Sequence, residues 1–263
     1  MLGPLLFIIL AISIYYKIQS QPDLPEKTSL IKNAFNSNNL PLIILLVLLM
    51  FFNWGIESRK WQLLMRPIQK VSFLKSFRAV LSGLSFSLFI PNGIGEYFGR
   101  IVYMDEGNRL KSISLTIAGS MSQVIITALA GIVSLIYLKE HAWQHTPLIQ
   151  GLSIFWINIV LSMIMMGAIV LILVYYRLSW LSRIFEKIPF VHKYRYFIEH
   201  LETISTKDLT KILCLSLVRF SVFTAQYIVA LSIFKAGVSL PEAIATVSVV
   251  FLVLLVLPTI PAA

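Results

Sequence analysis

Glu96 and Arg100 lie four residues apart in the stretch Phe89-Ile90-Pro91-Asn92-Gly93-Ile94-Gly95-Glu96-Tyr97-Phe98-Gly99-Arg100. Acid before base at that spacing pairs the two on one helix face. Arg219 is a second ionisable group in an unusual place, mid-run in Leu213-Cys214-Leu215-Ser216-Leu217-Val218-Arg219-Phe220-Ser221. Ser216 and Gln226, at i−3 and i+7, share its face. A charge set that deep in apolar sequence needs a partner, and Glu96 and Glu57 are the acids available. Glu96 and Arg100 read either as a simple helix pair near the interface or as a seat for a lipid phosphate, held by Arg100 or a neighbouring base with Glu96 orienting it or balancing its charge. Arg219 reads either as a buried ion pair that fixes bundle register or as a headgroup-phosphate contact. Gln123 and Gln226 read as interhelical hydrogen bonds or cavity lining. Other chemistry is poorly represented. His141 and His145 have i, i+4 spacing but no third ligand and no adjacent glutamate, and the sequence contains no P-loop, no Gly-x-Ser-x-Gly elbow and no aspartate pair. Cys214 is the single cysteine. No metal or cofactor is expected.

The elements that must position these groups are apolar. Of 263 residues 57% are hydrophobic and 13% charged, and the mean hydropathy is +0.82. Several runs approach the ~20 residues that cross ~30 Å of hydrocarbon, so the expected class is all-α, a polytopic membrane helical bundle forming a single transmembrane domain. Spans are expected at 2–16, 40–54, 113–138, 151–176, 212–234 and 243–257. The segment 77–98 is broken by Pro91, which cannot donate a backbone hydrogen bond, and by Gly93 and Gly95, which permit turns. Between 57 and 73, Trp61, Leu64, Met65 and Ile68 recur with helical spacing while Arg59, Lys60, Arg66 and Lys70 take other faces. That pattern predicts a basic amphipathic helix at the membrane interface, where Arg59 would meet anionic headgroups or serve as a plain anchor. Gly83 with Ser87, and Ala118 with Ser122, are small residues at the spacing that allows close helix approach. The net charge of +10 has no aromatic-basic motif beside it, so no nucleic-acid partner is expected.

Lysine and arginine crowd two loops, Arg59 to Arg78 and Arg177 to Lys211, which by the positive-inside rule both face the cytoplasm. The span 151–176 then runs inward and 113–138 outward, so the broken segment starts and ends on the cytoplasmic side. It is expected to be a re-entrant hairpin turning at Pro91-Asn92-Gly93, in a multi-pass inner (plasma) membrane protein with a cytoplasmic N-terminus.

Glu57-x-Arg59-x-Trp61, then Pro91-x-Gly93-x-Gly95-Glu96-x-x-x-Arg100, then long Ala-, Gly- and Ser-rich spans together resemble the transmembrane, flippase-like domain of lysylphosphatidylglycerol synthases, which also occurs as a stand-alone membrane protein. The resemblance runs from about Leu40 to the end. It implies a bundle that moves an anionic or aminoacylated phospholipid, or another lipid-linked headgroup, between leaflets. Glu96 and Arg100 would be site residues, joined by Arg219, Asn92, Gln123, Gln226 and Arg59 as the expected substrate-binding set. It also implies a second proline-broken segment with its own acidic and basic pair. Leu257-Pro258-Thr259-Ile260-Pro261 resembles its start, and the expectation is that the pair lies beyond Ala263. The aminoacyl-transfer domain of bifunctional members has no counterpart here, so no synthase activity is expected of this chain. The alternative is the membrane part of a lipid-modifying enzyme, an aminoacyl or glycosyl transferase with a separate catalytic chain as its partner.

Overall fold

A computed structural model describes residues 37–87, 94–141, 154–177 and 204–256, with isolated positions between 12 and 35. Most of the expected span 2–16, the turn at 91–93 with Asn92, most of the 177–211 excursion and the stretch 258–263 lie outside the described residues.

Seven α-helices make up the described bundle: α1 (Leu40–Met65), α2 (Phe73–Ser87), α3 (Ile94–Ile101), α4 (Arg109–His141), α5 (Ile154–Tyr176), α6 (Thr206–Ile233) and α7 (Leu240–Val256). Among the described residues, four helical stretches are long and apolar enough to cross a membrane: α1, α4 with the 3-10 turn that precedes it, α5 and α6. The apolar α7 is shorter, at 17 residues. Pro41 begins α1 at a position where its missing N–H costs nothing. Ser205 caps α6 by accepting a hydrogen bond from the Asp208 backbone N–H at 3.1 Å.

Several boundaries differ from the sequence reading. The second span was expected to end at Trp54 and yield to an interfacial helix. Instead α1 continues unbroken to Met65, and its Trp61–Leu64–Met65 stripe is buried in the main core with Leu115, Ala118 and Ile212. The charged stretch stays helical because its buried charges are paired within the protein, as the site geometry below shows. Arg59 faces outward on the helix, as do Arg66 and Lys70 beyond its end.

The broken segment is a pair of short helices. At 15 and 8 residues, α2 and α3 are about 22 Å and 12 Å long at the α-helical rise, short of the ~30 Å hydrocarbon core. They run antiparallel, with Gly83 opposite Gly99 and Phe86 opposite Gly95, and their backbones touch. A Cβ at Gly99 would come within 2.5 Å of the Gly83 backbone, and one at Gly83 within 2.9 Å of the Glu96 carbonyl oxygen. Gly95, read from sequence as a turn residue, is helical, and its place opposite the Phe86 backbone leaves no room for a side chain.

The remaining helices form an alternating frame. α1 and α6 are antiparallel, with Asn53 bonded to Arg219 at the middle of both helices and Gln226, further along α6, bonded to the Leu46 carbonyl, earlier in α1. α5 returns alongside α4, Lys139 bonding Asn158 at 2.7 Å. Tyr175 on α5 donates to the Leu209 carbonyl of α6 at 2.9 Å, and α7 closes on α4 at Gly131 and Leu252. Between α6 and α7 the chain turns through Lys235 (φ 52°) and Gly237 (φ 65°), the left-handed conformation that glycine adopts freely.

Candidate functional site

Asn53, Glu57, Lys60, Trp61 and Leu64 follow helical spacing along one face of α1, and all of them are buried. That face meets α3, α4 and α6. Glu57 is the hub. Its Oε2 lies 2.8 Å from Lys60 Nζ and 3.1 Å from an Arg219 Nη, and its Oε1 accepts from Arg100 Nη1 at 3.0 Å. Arg100 Nη2 also donates to Glu96 Oε2 at 3.2 Å. Three cations therefore surround two carboxylates, an excess of one positive charge among the described residues of the cluster.

The surroundings hold these groups in place. Arg219 Nε donates to Asn53 Oδ1 at 3.2 Å, and the Asn53 amide donates back to the Arg219 carbonyl at 3.3 Å. The Arg219 guanidinium also sits 5.3 Å from the Phe223 ring centroid, close enough for a cation–π attraction. Lys60 Nζ reaches Ser216 Oγ at 3.5 Å, and Ser216 and Ser122 bond each other at 2.7 Å. Trp61 Nε1 donates to Thr116 at 3.3 Å. Tyr97 donates to Ser120 at 3.2 Å, which ties α3 to α4. Desolvating this many charges is costly, so the cluster persists only because each charge has opposite-charge partners at bonding distance.

Exposure is uneven. The Arg100 side chain is 3% exposed and that of Glu57 6%, whereas Arg219 is 15% and Glu96 27% exposed. Access to the cluster is therefore past Glu96 and Arg219. Among the described residues no three His, Cys, Asp or Glu gather as a metal site would require.

Of the residues singled out from sequence, the structure brings Glu96, Arg100 and Arg219 together around Glu57. Arg219 takes Glu57 as its carboxylate partner, while Arg100 takes both Glu57 and Glu96. Gln226 lies on the same α1–α6 seam, its amide donating to the Leu46 carbonyl at 3.4 Å. Gln123 is half-buried on α4, and its carbonyl oxygen accepts no hydrogen bond among the described residues. Arg59 does not join the cluster. Two residues past Glu57, it is carried to the opposite side of the helix, where it bonds Gln62 and faces outward. Asn92 lies outside the described residues.

Glu57 and Lys60 are more central than the sequence pattern suggests, which marks one as an available partner and the other as part of an interfacial basic face. A signal was present. Lys60 is at i+3 from Glu57, on the same face as Trp61 and Leu64, so an apolar stripe that buries Trp61 must bury Lys60 beside it.

A family model described as lysylphosphatidylglycerol synthase TM region matches residues 26–263. No curated protein and no solved structure matches the chain. With its membrane-length helices, the chain is a multi-pass membrane protein.

Proposed function

The chain belongs to the lysylphosphatidylglycerol synthase transmembrane-region family, and from that premise we propose that it binds an anionic phospholipid by its headgroup phosphate and moves it between leaflets. The observation that carries this reading is the excess of one formal positive charge, among the described residues, in the Glu57–Lys60–Arg100–Arg219–Glu96 cluster. A purely structural ion network would be expected to balance, because an excess buried charge costs several kcal/mol. A phosphodiester monoanion supplies the missing charge. Ionisable groups inside membrane helices mark substrate paths for the same energetic reason.

In this mechanism Glu57 is the fixed counter-charge that keeps Lys60, Arg100 and Arg219 converged. Arg219 and Arg100 take the phosphate, and the acyl tails stay in the bilayer beside the exposed apolar faces of the helices. The α2–α3 pair is the re-entrant element: neither helix can span, and their antiparallel packing brings Arg100 back alongside the middle of α2. By the distribution of lysine and arginine the cluster opens towards the cytoplasmic leaflet. The sequence has no nucleotide-binding motif, so movement would be facilitated or driven by an ion gradient or a partner.

The test is reconstitution. Vesicles holding the purified chain and a trace of fluorescent phosphatidylglycerol should lose inner-leaflet protection from an impermeant quencher faster than empty vesicles. Arg219→Ala should return the rate to that of empty vesicles. Equal rates for protein-free, wild-type and variant vesicles would contradict the proposal.

A further inference from the structure

The two carboxylates on Arg100 are not equivalent, and the difference suggests how a phosphate enters; the inference rests on the lipid-binding reading above. Glu57 is bound by Lys60 and Arg219 as well as by Arg100, and its side chain is 6% exposed. Glu96 is 27% exposed and, among the described residues, holds one ion pair, to Arg100 Nη2 at 3.2 Å. Arg100 Nε, on a side chain 3% exposed, has no hydrogen-bond partner among the described residues. In a guanidinium, Nε–H and the outer N–H of Nη2 point the same way and form the fork that takes an oxyanion bidentately. Glu96 fills only half of that fork, and a buried donor left unpaired is costly.

We infer that Glu96 is a resident substitute for the substrate phosphate, displaced when a phosphodiester oxyanion takes Arg100 Nε and Nη2 together. The exchange trades one hydrogen bond for two and pairs the orphaned Nε. It leaves Glu57 and its three cations undisturbed. Glu96 swings away by side-chain rotation, since α3 itself is fixed by its backbone contact with α2 at Gly83 and Gly99. Glu96 thus sets affinity: it lowers phosphate binding by occupying the seat, and it refills the seat when the lipid leaves, so that the cluster does not hold its substrate indefinitely.

The experiment titrates the purified full-length chain, in uncharged detergent, with dihexanoyl phosphatidylglycerol, dihexanoyl phosphatidylcholine and inorganic phosphate, followed by calorimetry. Removal of an intramolecular competitor of this exposure should tighten phosphatidylglycerol binding by about two- to fivefold in Glu96→Gln. Glu96→Asp, which keeps the charge but shortens the reach to Arg100, should tighten it as well. Arg100→Lys, which keeps the charge but removes the fork, should erase the gain in the double variant. A wild type that prefers phosphatidylglycerol to phosphatidylcholine, with unchanged or weaker binding in both Glu96 variants, would overturn the displacement while leaving the lipid reading intact. Inorganic phosphate bound as tightly as the lipid, and gaining equally in Glu96→Gln, would support the displacement but identify a free-phosphate seat. No binding of any of the three probes to wild type or variants would overturn both.

Discussion

The two halves of α1 obey opposite rules within one unbroken helix. From Leu40 to Phe52 its side chains are aliphatic or aromatic, and Leu48, Phe51 and Phe52 are more than half exposed. From Asn53 to Met65 the Asn53 amide, the Glu57 carboxylate, the Lys60 ammonium and the Trp61 indole are all buried on one face. A soluble protein would place them the other way round. In a bilayer the apolar half can face lipid at no cost, because hydrocarbon tails solvate it as well as another helix would. The charged half must be enclosed by protein that supplies opposite charges and hydrogen bonds. The α2–α3 pair and the α6 helix supply that enclosure, and the hub carboxylate sets where they converge.

The contrast can be broken most severely at the hub. Glu57→Ala leaves buried Lys60 and Arg100 and the partly buried Arg219 without their shared counter-charge and should cost about 3–5 kcal/mol, read as a large fall in melting temperature of the detergent-solubilised chain. Next in size is the enclosure. Gly99→Ala inserts a methyl group where the α2 and α3 backbones meet, and overpacking of that kind costs roughly 1–3 kcal/mol. The same variant should slow phosphatidylglycerol movement, since Arg100 follows Gly99 directly. Smaller still is Ser216→Ala, which removes the hydroxyl between Lys60 and Ser122; about 1 kcal/mol is expected from urea or thermal unfolding. At the apolar end, Phe52→Ala should change stability by no more than about 0.5 kcal/mol. A loss at Phe52 as large as that at Ser216 would mean that the first half of α1 is packed against protein, and the comparison would fail.

Much of the fold was legible because hydrophobic run length is a direct physical requirement of the bilayer. That the segment holds two short antiparallel helices rather than one span was readable in outline from its proline and glycines, and the Glu96–Arg100 pairing from its i, i+4 spacing, which the structure shows as an ion pair. The extent of α1 was not. Arg59, Lys60, Arg66 and Lys70 are consistent with an interfacial helix when counted as charge. What decides the matter is that Lys60, unlike Arg59, shares its face with Trp61, and that its counter-charge is one helical turn away. Nor could the role of Gly95 be read, because a glycine at a turn and a glycine at a backbone contact look alike in one sequence. The pairing of Ser122 with Ser216 was hidden for a different reason: a short hydroxyl carries no information about which distant helix it will meet.

The most direct test is the ratio of translocation rates for acyl-labelled phosphatidylglycerol and phosphatidylcholine in matched vesicles, wild type against Arg219→Gln. The account predicts that wild type favours phosphatidylglycerol, and that neutralising Arg219, which removes the excess positive charge of the cluster, abolishes the preference. Equal rates for the two lipids in wild type, or a preference that survives Arg219→Gln unchanged, would contradict it.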